Sequence, residues 1–172
     1  MTSAEVLVDA FGRVREATHE AVEGLDPEQL AFRADPEANS IGWLVWHLTR
    51  VQDDHIADAA RFEQVWTAQG WVDRFGLPLD RLDTGFGHTT EDVAAVRVSS
   101  GKLLTDYHDA VHEQTIRYVQ QLTDADLPRI VDPSWDPPTS LGVRLVSVVA
   151  DGLQHAGQAA FVRGILQRNH AR

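Results

Sequence analysis

The stretch LGVRLVSVVADGLQHAGQAAFVRGIL, residues 141–166, decides the fold. Its apolar and small residues recur at alternating steps of three and four, which is the spacing of one face of an α-helix. The members of this stripe are Leu141, Leu145, Val148, Gly152, His155, Ala159, Val162 and Leu166. Ser140 precedes the stripe as a helix cap, and the small residues Gly152 and Ala159 let a neighbouring helix come close. We therefore predict a long, buried helix that begins after Ser140.

Three further stretches have the same helical signature. A first helix should run from a cap at Thr2 to about Glu23, and a third from about Ser100 to Leu122. A second helix should start after its cap at Ser40. The buried stripe of the second helix is formed by Ile41, Leu44, Leu48, Val51 and His55. Together with the stretch that follows Ser140, this pattern predicts four long helices.

Two irregular connections separate these helices. Residues 61–97 contain glycines and a proline that break the helical pattern, and four prolines interrupt residues 128–138. The first connection nevertheless contains large aromatic residues that we expect to be buried: Trp66, Trp71, Phe75 and Phe86. Strand-like alternation is not evident at useful length. The prediction is an all-α four-helix bundle with long crossover connections that carry short helices, in a single domain covering residues 1–172.

Composition excludes several classes of function. With 15 Lys and Arg against 26 Asp and Glu, the chain has a net charge of −11, and its basic residues are scattered, so nucleic acid is not an expected partner. No apolar run approaches the roughly 20 residues that cross a bilayer, and no signal peptide is recognisable. We therefore expect a cytoplasmic protein without a membrane partner. Cysteine is absent, so any thiol chemistry must use an external thiol.

Asp151 and His155 form the most informative pair of polar residues. They are four positions apart, which places them one helical turn apart on one face, where both can bind one metal ion. A carboxylate at the edge of an apolar stripe also needs a partner, because its burial is otherwise costly. The alternative is that Asp151 accepts a hydrogen bond from His155, Arg144 or Arg163, and that no metal is involved.

A metal site of this kind requires a third ligand from another helix. His47 lies at the flank of the second helix's stripe, within reach of a neighbour across the bundle. His55 is a rival, because it lies directly on the same stripe, although it could instead be a core histidine bonded to a backbone carbonyl. Two imidazoles and one carboxylate would leave coordination positions open for water or substrate, as catalytic sites do.

Other polar residues are weaker candidates. His88 could reach over the mouth of the bundle from its loop, although Thr89 and Asp92 in the same stretch are also typical of a helix start. Asp54 could orient a ligand imidazole or take up a proton, although a solvated position describes it equally well. The remaining histidines have no evident partner in the sequence and are expected to be solvated; they are His19, His108, His112 and His170.

The motifs of this chain resemble those of the DinB-like superfamily, which includes mycothiol-dependent maleylpyruvate isomerases and thiol S-transferases. The resemblance rests on three segments, and it extends from the first helix to about Gly164. The segments are NSIGWLVWHL at 39–48, GFGHT at 85–89 and DGLQHAGQ at 151–158. It implies a four-helix bundle whose divalent metal ion is bound by His47, Asp151 and His155. Many members of the superfamily have His at the position of Asp151, and the thiol-dependent isomerases have Glu.

The resemblance also implies a class of reaction. The expected function is that of a transferase or isomerase in which the metal, with zinc expected first and nickel, manganese or iron as alternatives, activates a low-molecular-weight thiol such as mycothiol or bacillithiol. The thiol and an electrophilic small molecule are then the partners, and a homodimer is plausible within the superfamily. Two alternatives are a metal-dependent hydrolase and a non-enzymatic, stress-related metal-binding protein.

Overall fold

A computed structural model of the chain describes residues 1–170, with the side chain of residue 170 left out of the description. Most of the described residues are helical. The four long helices are α1 (Ser3–Val22), α3 (Ile41–Ala60), α7 (Gly101–Val119) and α8 (Leu141–His170), and the four short ones are α2 (Pro27–Leu30), α4 (Val65–Ala68), α5 (Trp71–Phe75) and α6 (Thr90–Ala95). The predicted all-α fold and its four long helices are confirmed.

Side-chain caps explain where the long helices begin. Thr2 and Glu5 form the predicted capping box at α1, with the Glu5 N–H donating to the Thr2 hydroxyl at 3.2 Å. The hydroxyls of Ser40, Ser100 and Ser140 accept N–H hydrogen bonds at the starts of α3, α7 and α8. Each cap satisfies a backbone donor that has no partner within its helix, so these hydroxyls help to fix the helix boundaries.

The long helices pack so that each has two principal neighbours. Helix α8 lies against α3 and α1, and α7 lies against the same two helices from the other side. Gly152 makes the α1–α8 approach possible, because an added Cβ at this position would lie 2.8 Å from Val14. This agrees with the prediction that the small residues of the α8 stripe admit a neighbouring helix. The packing order leaves two separate places for polar clusters, one between α3 and α8 and one between α1 and α7.

A buried ionic network attaches the first connection to the bundle. Asp53 on α3 accepts hydrogen bonds from the backbone N–H groups of Val65 and Trp66 at 2.9 and 2.8 Å, and from the Tyr107 hydroxyl at 2.8 Å. Arg50, which is fully buried, donates to the carbonyl oxygens of residues 82 and 83. These bonds fix the path of the connection over α3, where it passes the predicted metal ligands.

The aromatic residues of this connection behave differently from one another. Trp66, Trp71 and Phe75 are buried, as predicted, but Phe86 is 92% exposed. The prediction for Phe86 was wrong because its neighbours Gly85 and Gly87 both have positive φ angles, of 88° and 76°. In this tight turn the backbone of Gly85 lies close against the protein, whereas the Phe86 ring is directed into solvent.

The second connection contains a short antiparallel strand pair. Strands β1 (Ile130–Asp132) and β2 (Thr139–Ser140) pair Ile130 with Ser140 and Asp132 with Thr139. Segments of three and two residues are too short to produce a recognisable alternation in the sequence.

Among the residues described, no helix is both long enough and apolar enough to span a membrane.

Candidate metal centre

His47 from α3 and Asp151 and His155 from α8 meet between these two helices. One ligand atom from each residue can be chosen so that all three lie within 4.8 Å of one another. His47 is 7% exposed, while Asp151 and His155 are partly buried. The two imidazole rings are 4.9 Å apart at an interplanar angle of 75°. The three side chains proposed from the sequence therefore converge on one small volume.

The His47 ring is fixed by a backbone oxygen. Its Nδ1 is hydrogen-bonded to the carbonyl oxygen of Thr84, so this nitrogen carries the proton and donates it. The ring also stacks on Trp43, with centroids 4.5 Å apart. A neutral imidazole whose Nδ1–H is engaged presents its Nε2 lone pair to a metal. Burial lowers the pKa of His47, which favours this neutral form.

The His155 ring is oriented in the same way by a side chain of its own helix. Its Nδ1 lies 2.8 Å from Oε1 of Gln158, which can only accept, so Nδ1 is again the protonated nitrogen. Its Nε2 is 3.4 Å from Oδ1 of Asp151, and this carboxylate raises the pKa of His155. Both histidines thus have an oxygen acceptor behind Nδ1, the arrangement that metal-ligating histidines commonly have.

Asp151 shows why the cluster suits a cation. Its Oδ2 is buried and has no hydrogen-bond partner among the described residues. Of the alternative partners, Arg144 donates to Asp132 at 2.8 Å and Arg163 donates to the Glu20 carbonyl at 2.9 Å, while His155 lies near the other carboxylate oxygen, Oδ1. A buried, unpaired carboxylate oxygen is costly unless it meets a cation. Two imidazole nitrogens and this carboxylate are a donor set that fits a divalent metal of the zinc type.

Gly85 allows the connection to approach His47 closely. It has a φ of 88°, and an added Cβ would lie 2.8 Å from Nδ1 of His47 and about as close to Trp46 and Trp43, at 3.0 and 3.1 Å. The close approach places the Thr84 carbonyl behind the imidazole. Sequence reasoning missed Thr84 as the residue that orients His47, although the glycine pair around Phe86 signals an unusual backbone at this point.

His88 packs against Trp43 and is not one of the three candidate metal ligands. Its Nδ1 accepts a hydrogen bond from the Trp43 indole N–H at 3.0 Å, and its Nε2 donates to Asp83 at 3.0 Å. Thr89 and Asp92 also form the helix-start capping box that the sequence indicated. The histidine therefore helps to hold the ring on which His47 stacks, and the helix start forms beside it.

His55 and Asp54 are not part of the cluster that the three candidate ligands form. The Nδ1 of His55 accepts from the Arg144 guanidinium, so the suggested hydrogen bond to a backbone carbonyl is wrong. Asp54 accepts from the Gln64 side chain at 2.7 Å, and the acceptor behind His47 is the Thr84 carbonyl instead. These partners come from elements distant in the chain, and helical spacing alone does not reveal them.

The expectation for the remaining histidines was wrong in one clear case. His108 on α7 is fully buried and makes a 3.1 Å hydrogen bond to Thr49, and burial lowers its pKa to about 3. His112 is partly buried beside it, and His19 lies 2.7 Å from Asp109. His108 lies four residues after the buried Leu104, a spacing that could have indicated its burial. The side chain of His170 lies outside the described part of the structure.

Two cavities flank the three candidate ligands along α8. One, of about 560 Å³, has a mixed lining of valines and of polar residues that include His55, Arg144 and Asp151. The other, of about 550 Å³, is mostly apolar; Phe161 and Gln158, the partner of His155, line it. Of the two cavities, the first directly contacts a candidate ligand, Asp151, and it contains more polar groups than the second.

The chain is similar to a family of known proteins and to solved structures. A sequence model described as mycothiol-S-transferase matches residues 6–168. A crystal structure of a conserved protein from Enterococcus faecalis superposes with a TM-score of 0.88 and is 30% identical in sequence; the match covers 95% of this chain and 96% of that one. No curated protein matches the sequence significantly. Both matches extend over almost the whole chain, and the residues matched by the sequence model include all three candidate ligands.

Proposed function

This chain belongs to the mycothiol-S-transferase family, and we propose that it transfers the sulfur of a low-molecular-weight thiol to an electrophilic small molecule with the help of one divalent metal ion. Mycothiol is the first thiol to test, and bacillithiol is the second. The observation that carries the metal dependence is the buried, unpartnered Asp151 oxygen beside two imidazoles that both have an acceptor behind Nδ1.

In this proposal His47 and His155 would hold the metal through Nε2, and Asp151 would hold it through a carboxylate oxygen. When bound, a divalent metal would supply Lewis acidity that favours the thiolate form of the cosubstrate. The chain has no cysteine, so the attacking sulfur has to come from the cosubstrate. Zinc suits two imidazoles and a carboxylate best, with nickel, manganese and iron as the alternatives to test.

The protein's own contribution is orientation. The Thr84 carbonyl and the Gln158 side chain hold the two imidazoles with Nε2 directed at the common volume. Trp43 stacks on His47, and its ring meets the His155 ring edge-on, with the two centroids 6.4 Å apart. The indole therefore covers one side of both imidazole rings. Rings held in this way need little rearrangement when the cosubstrates bind.

The transfer itself is a substitution at the electrophile. The thiol releases its proton to solvent, a bond forms between its sulfur and the electrophilic carbon, and the bond between that carbon and its leaving group breaks. The leaving group departs with the electron pair, so no oxidant or reductant is required.

We place this reaction in the cytoplasm, where such thiols are kept reduced. The homodimer stays a prediction, which light scattering during size-exclusion chromatography would test.

The experiment is a conjugation assay with the purified, zinc-loaded protein. Mycothiol and 1-chloro-2,4-dinitrobenzene are mixed with wild type, His155→Ala or His112→Ala, and the absorbance of the thioether is followed. We expect turnover by wild type and by His112→Ala, and a rate at the uncatalysed background for His155→Ala. Hydrolysis of ester or amide substrates without any thiol would favour the hydrolase. Bound metal without turnover of mycothiol or bacillithiol would favour the non-enzymatic alternative.

A further inference from the structure

The cavity that Asp151 lines beside the candidate metal centre has a mixed polar and apolar composition that indicates what it binds. It occupies about 560 Å³ along the first half of α8, and Asp151 lies on its wall. Its lining also contains Thr139 and three valines, and the polar and aromatic groups of interest are His55, Asp132, Trp135, Arg144, Ser147 and Asp151. A ligand in this cavity would therefore be next to the proposed metal and close to the reacting sulfur.

The charges of this lining balance one another. Arg144, which is only 9% exposed, donates to Asp132 at 2.8 Å, and its other terminal nitrogen contacts Nδ1 of His55. Its positive charge is thus already compensated inside the protein. The Asp151 charge is compensated by the metal in the proposed function. A cavity without a free cation does not favour a phosphate or carboxylate group over a neutral one.

His55 contributes a hydrogen-bond donor to the same cavity. A guanidinium group has no acceptor, so Nδ1 of His55 must accept, and the proton of the neutral ring resides on Nε2. Burial and the adjacent Arg144 charge both lower the pKa of His55, which is consistent with a neutral ring. The cavity wall therefore presents the Nε2–H group of His55 and the hydroxyl group of Ser147, together with the carboxylates of two aspartates and the guanidinium group of Arg144.

Trp135 supplies an apolar surface at the edge of the cavity. Its side chain is 66% exposed although it is large and aromatic. Its indole N–H donates to Asp132 at 3.1 Å, which holds the ring in place at the cavity. An exposed, fixed indole surrounded by groups that both donate and accept suits a ligand with alternating C–H faces and hydroxyl groups, as a sugar ring has.

We propose that this cavity binds the uncharged, polyhydroxylated part of the thiol cosubstrate, with a sugar ring against Trp135 and its hydroxyl groups bonded to His55 and Ser147. The assignment rests on the proposed thiol-transferase function. Mycothiol fits the description, because an amide joins its acetylated cysteine to a glucosamine–inositol disaccharide that has many hydroxyl groups and no ionised group. The sulfur would then extend from the cavity past Asp151 toward the metal centre.

The test uses a probe that lacks sulfur. The glucosamine–inositol disaccharide is mixed at millimolar concentration with the full-length protein, with and without zinc, and saturation-transfer NMR records which sugar protons contact the protein. We expect transfer in wild type and a loss of at least about fivefold in Trp135→Ala. Phe161→Ala is the matched control, because Phe161 is an equally exposed aromatic residue, at 67%, in the other cavity.

Specific outcomes would overturn the assignment. Absence of saturation transfer in wild type, equal transfer in Trp135→Ala, or an equal loss in Phe161→Ala would each contradict it. In the conjugation assay, Trp135→Ala should raise KM for mycothiol but leave KM for N-acetylcysteine unchanged. Mycothiol turnover with unchanged disaccharide binding in Trp135→Ala would refute the cavity assignment alone. Disaccharide binding that depends on Trp135 without any turnover would refute the transferase proposal and leave the cavity assignment intact.

Discussion

Two clusters of histidine and aspartate lie between different pairs of helices in this bundle. Between α3 and α8, the Asp151 carboxylate is 3.4 Å from His155 and keeps a buried oxygen without a partner among the described residues. Between α1 and α7, the Asp109 carboxylate accepts hydrogen bonds from Arg15 at 2.7 and 3.2 Å, and from His19 at 2.7 Å. The second cluster contains its own cation, Arg15, whereas no arginine or lysine among the described residues pairs with the Asp151 carboxylate of the first.

The comparison shows that residue types and spacing do not by themselves define a metal site. In both clusters an acid lies close in the chain to a histidine: Asp151 is four residues before His155, and Asp109 is three residues before His112. The arginine makes the difference, because it lowers the pKa of Asp109 and uses both carboxylate oxygens. We expect the α3–α8 cluster to bind metal and the α1–α7 cluster to be structural.

Removing each carboxylate in turn should give the largest contrast. Asp151→Asn should weaken zinc binding by at least about 100-fold. Mutating a residue that only hydrogen-bonds to a metal ligand typically lowers metal affinity by about 10–100-fold, and Asp151 would itself be a ligand. Asp109→Asn should leave zinc affinity unchanged, because that carboxylate is paired with Arg15. Competition with a coloured zinc chelator measures both variants. Equal zinc affinities for the two would remove the distinction between the clusters.

The second effect concerns the backbone that orients His47. Gly85→Ala should weaken zinc binding by about 10–100-fold, because the new methyl group would displace the Thr84 carbonyl from behind the imidazole. Gly12 on α1 has open space around it and is therefore the control for adding a methyl group. The same chelator titration applies, and circular dichroism reports whether helix content is retained. Wild-type affinity in Gly85→Ala would show that the carbonyl contact is dispensable.

A third variant would make the first cluster resemble the second. Ser147 is exposed and lies one helical turn before Asp151, so the guanidinium of Ser147→Arg can reach this carboxylate. We expect zinc affinity to fall by about 10-fold, the equivalent of roughly 1.4 kcal/mol. Ser147→Ala should bind zinc as wild type does. Undiminished affinity in the arginine variant would contradict the idea that an internal cation competes with the metal.

The smallest effect is a pH dependence of stability in the second cluster. The pKa of His108 is lowered to about 3, so between that value and the ordinary histidine pKa near 6.5 the unfolded chain binds a proton that the folded chain does not. Lowering the pH from 7 to 5.5 should therefore reduce the free energy of unfolding by about 1 kcal/mol through this residue. In His108→Gln the fall in the free energy of unfolding between pH 7 and 5.5 should be smaller by this amount. Urea denaturation at both pH values, with a chelator present, measures the fall. Equal falls in wild type and His108→Gln would contradict the buried, neutral state of His108.

Features encoded by local spacing could be predicted from the sequence. The four long helices and their caps follow from periodicity and from residues such as Ser40 and Ser140. The convergence of Asp151 and His155 follows from their separation by one helical turn. The resemblance of the motifs then distinguished His47 from His55, which spacing alone did not do.

What could not be predicted depends on contacts between distant parts of the chain. The Thr84 carbonyl reaches His47 across 37 residues, and Arg144 reaches His55 across 89. Neither contact has a periodic signature, because each depends on how a connection crosses the bundle. The exposure of Phe86 was missed for the same reason, since its glycine-flanked turn brings backbone to the site and directs the side chain outward.

Metal content tests the central claim most directly. Protein purified without an affinity tag or chelator is analysed for its elements as wild type, His155→Ala and His112→Ala. We predict about one divalent metal ion per chain in wild type and in His112→Ala, and none in His155→Ala. Absence of metal in wild type even after zinc, nickel, manganese and iron are added, or unchanged metal in His155→Ala, would contradict a metal centre between α3 and α8.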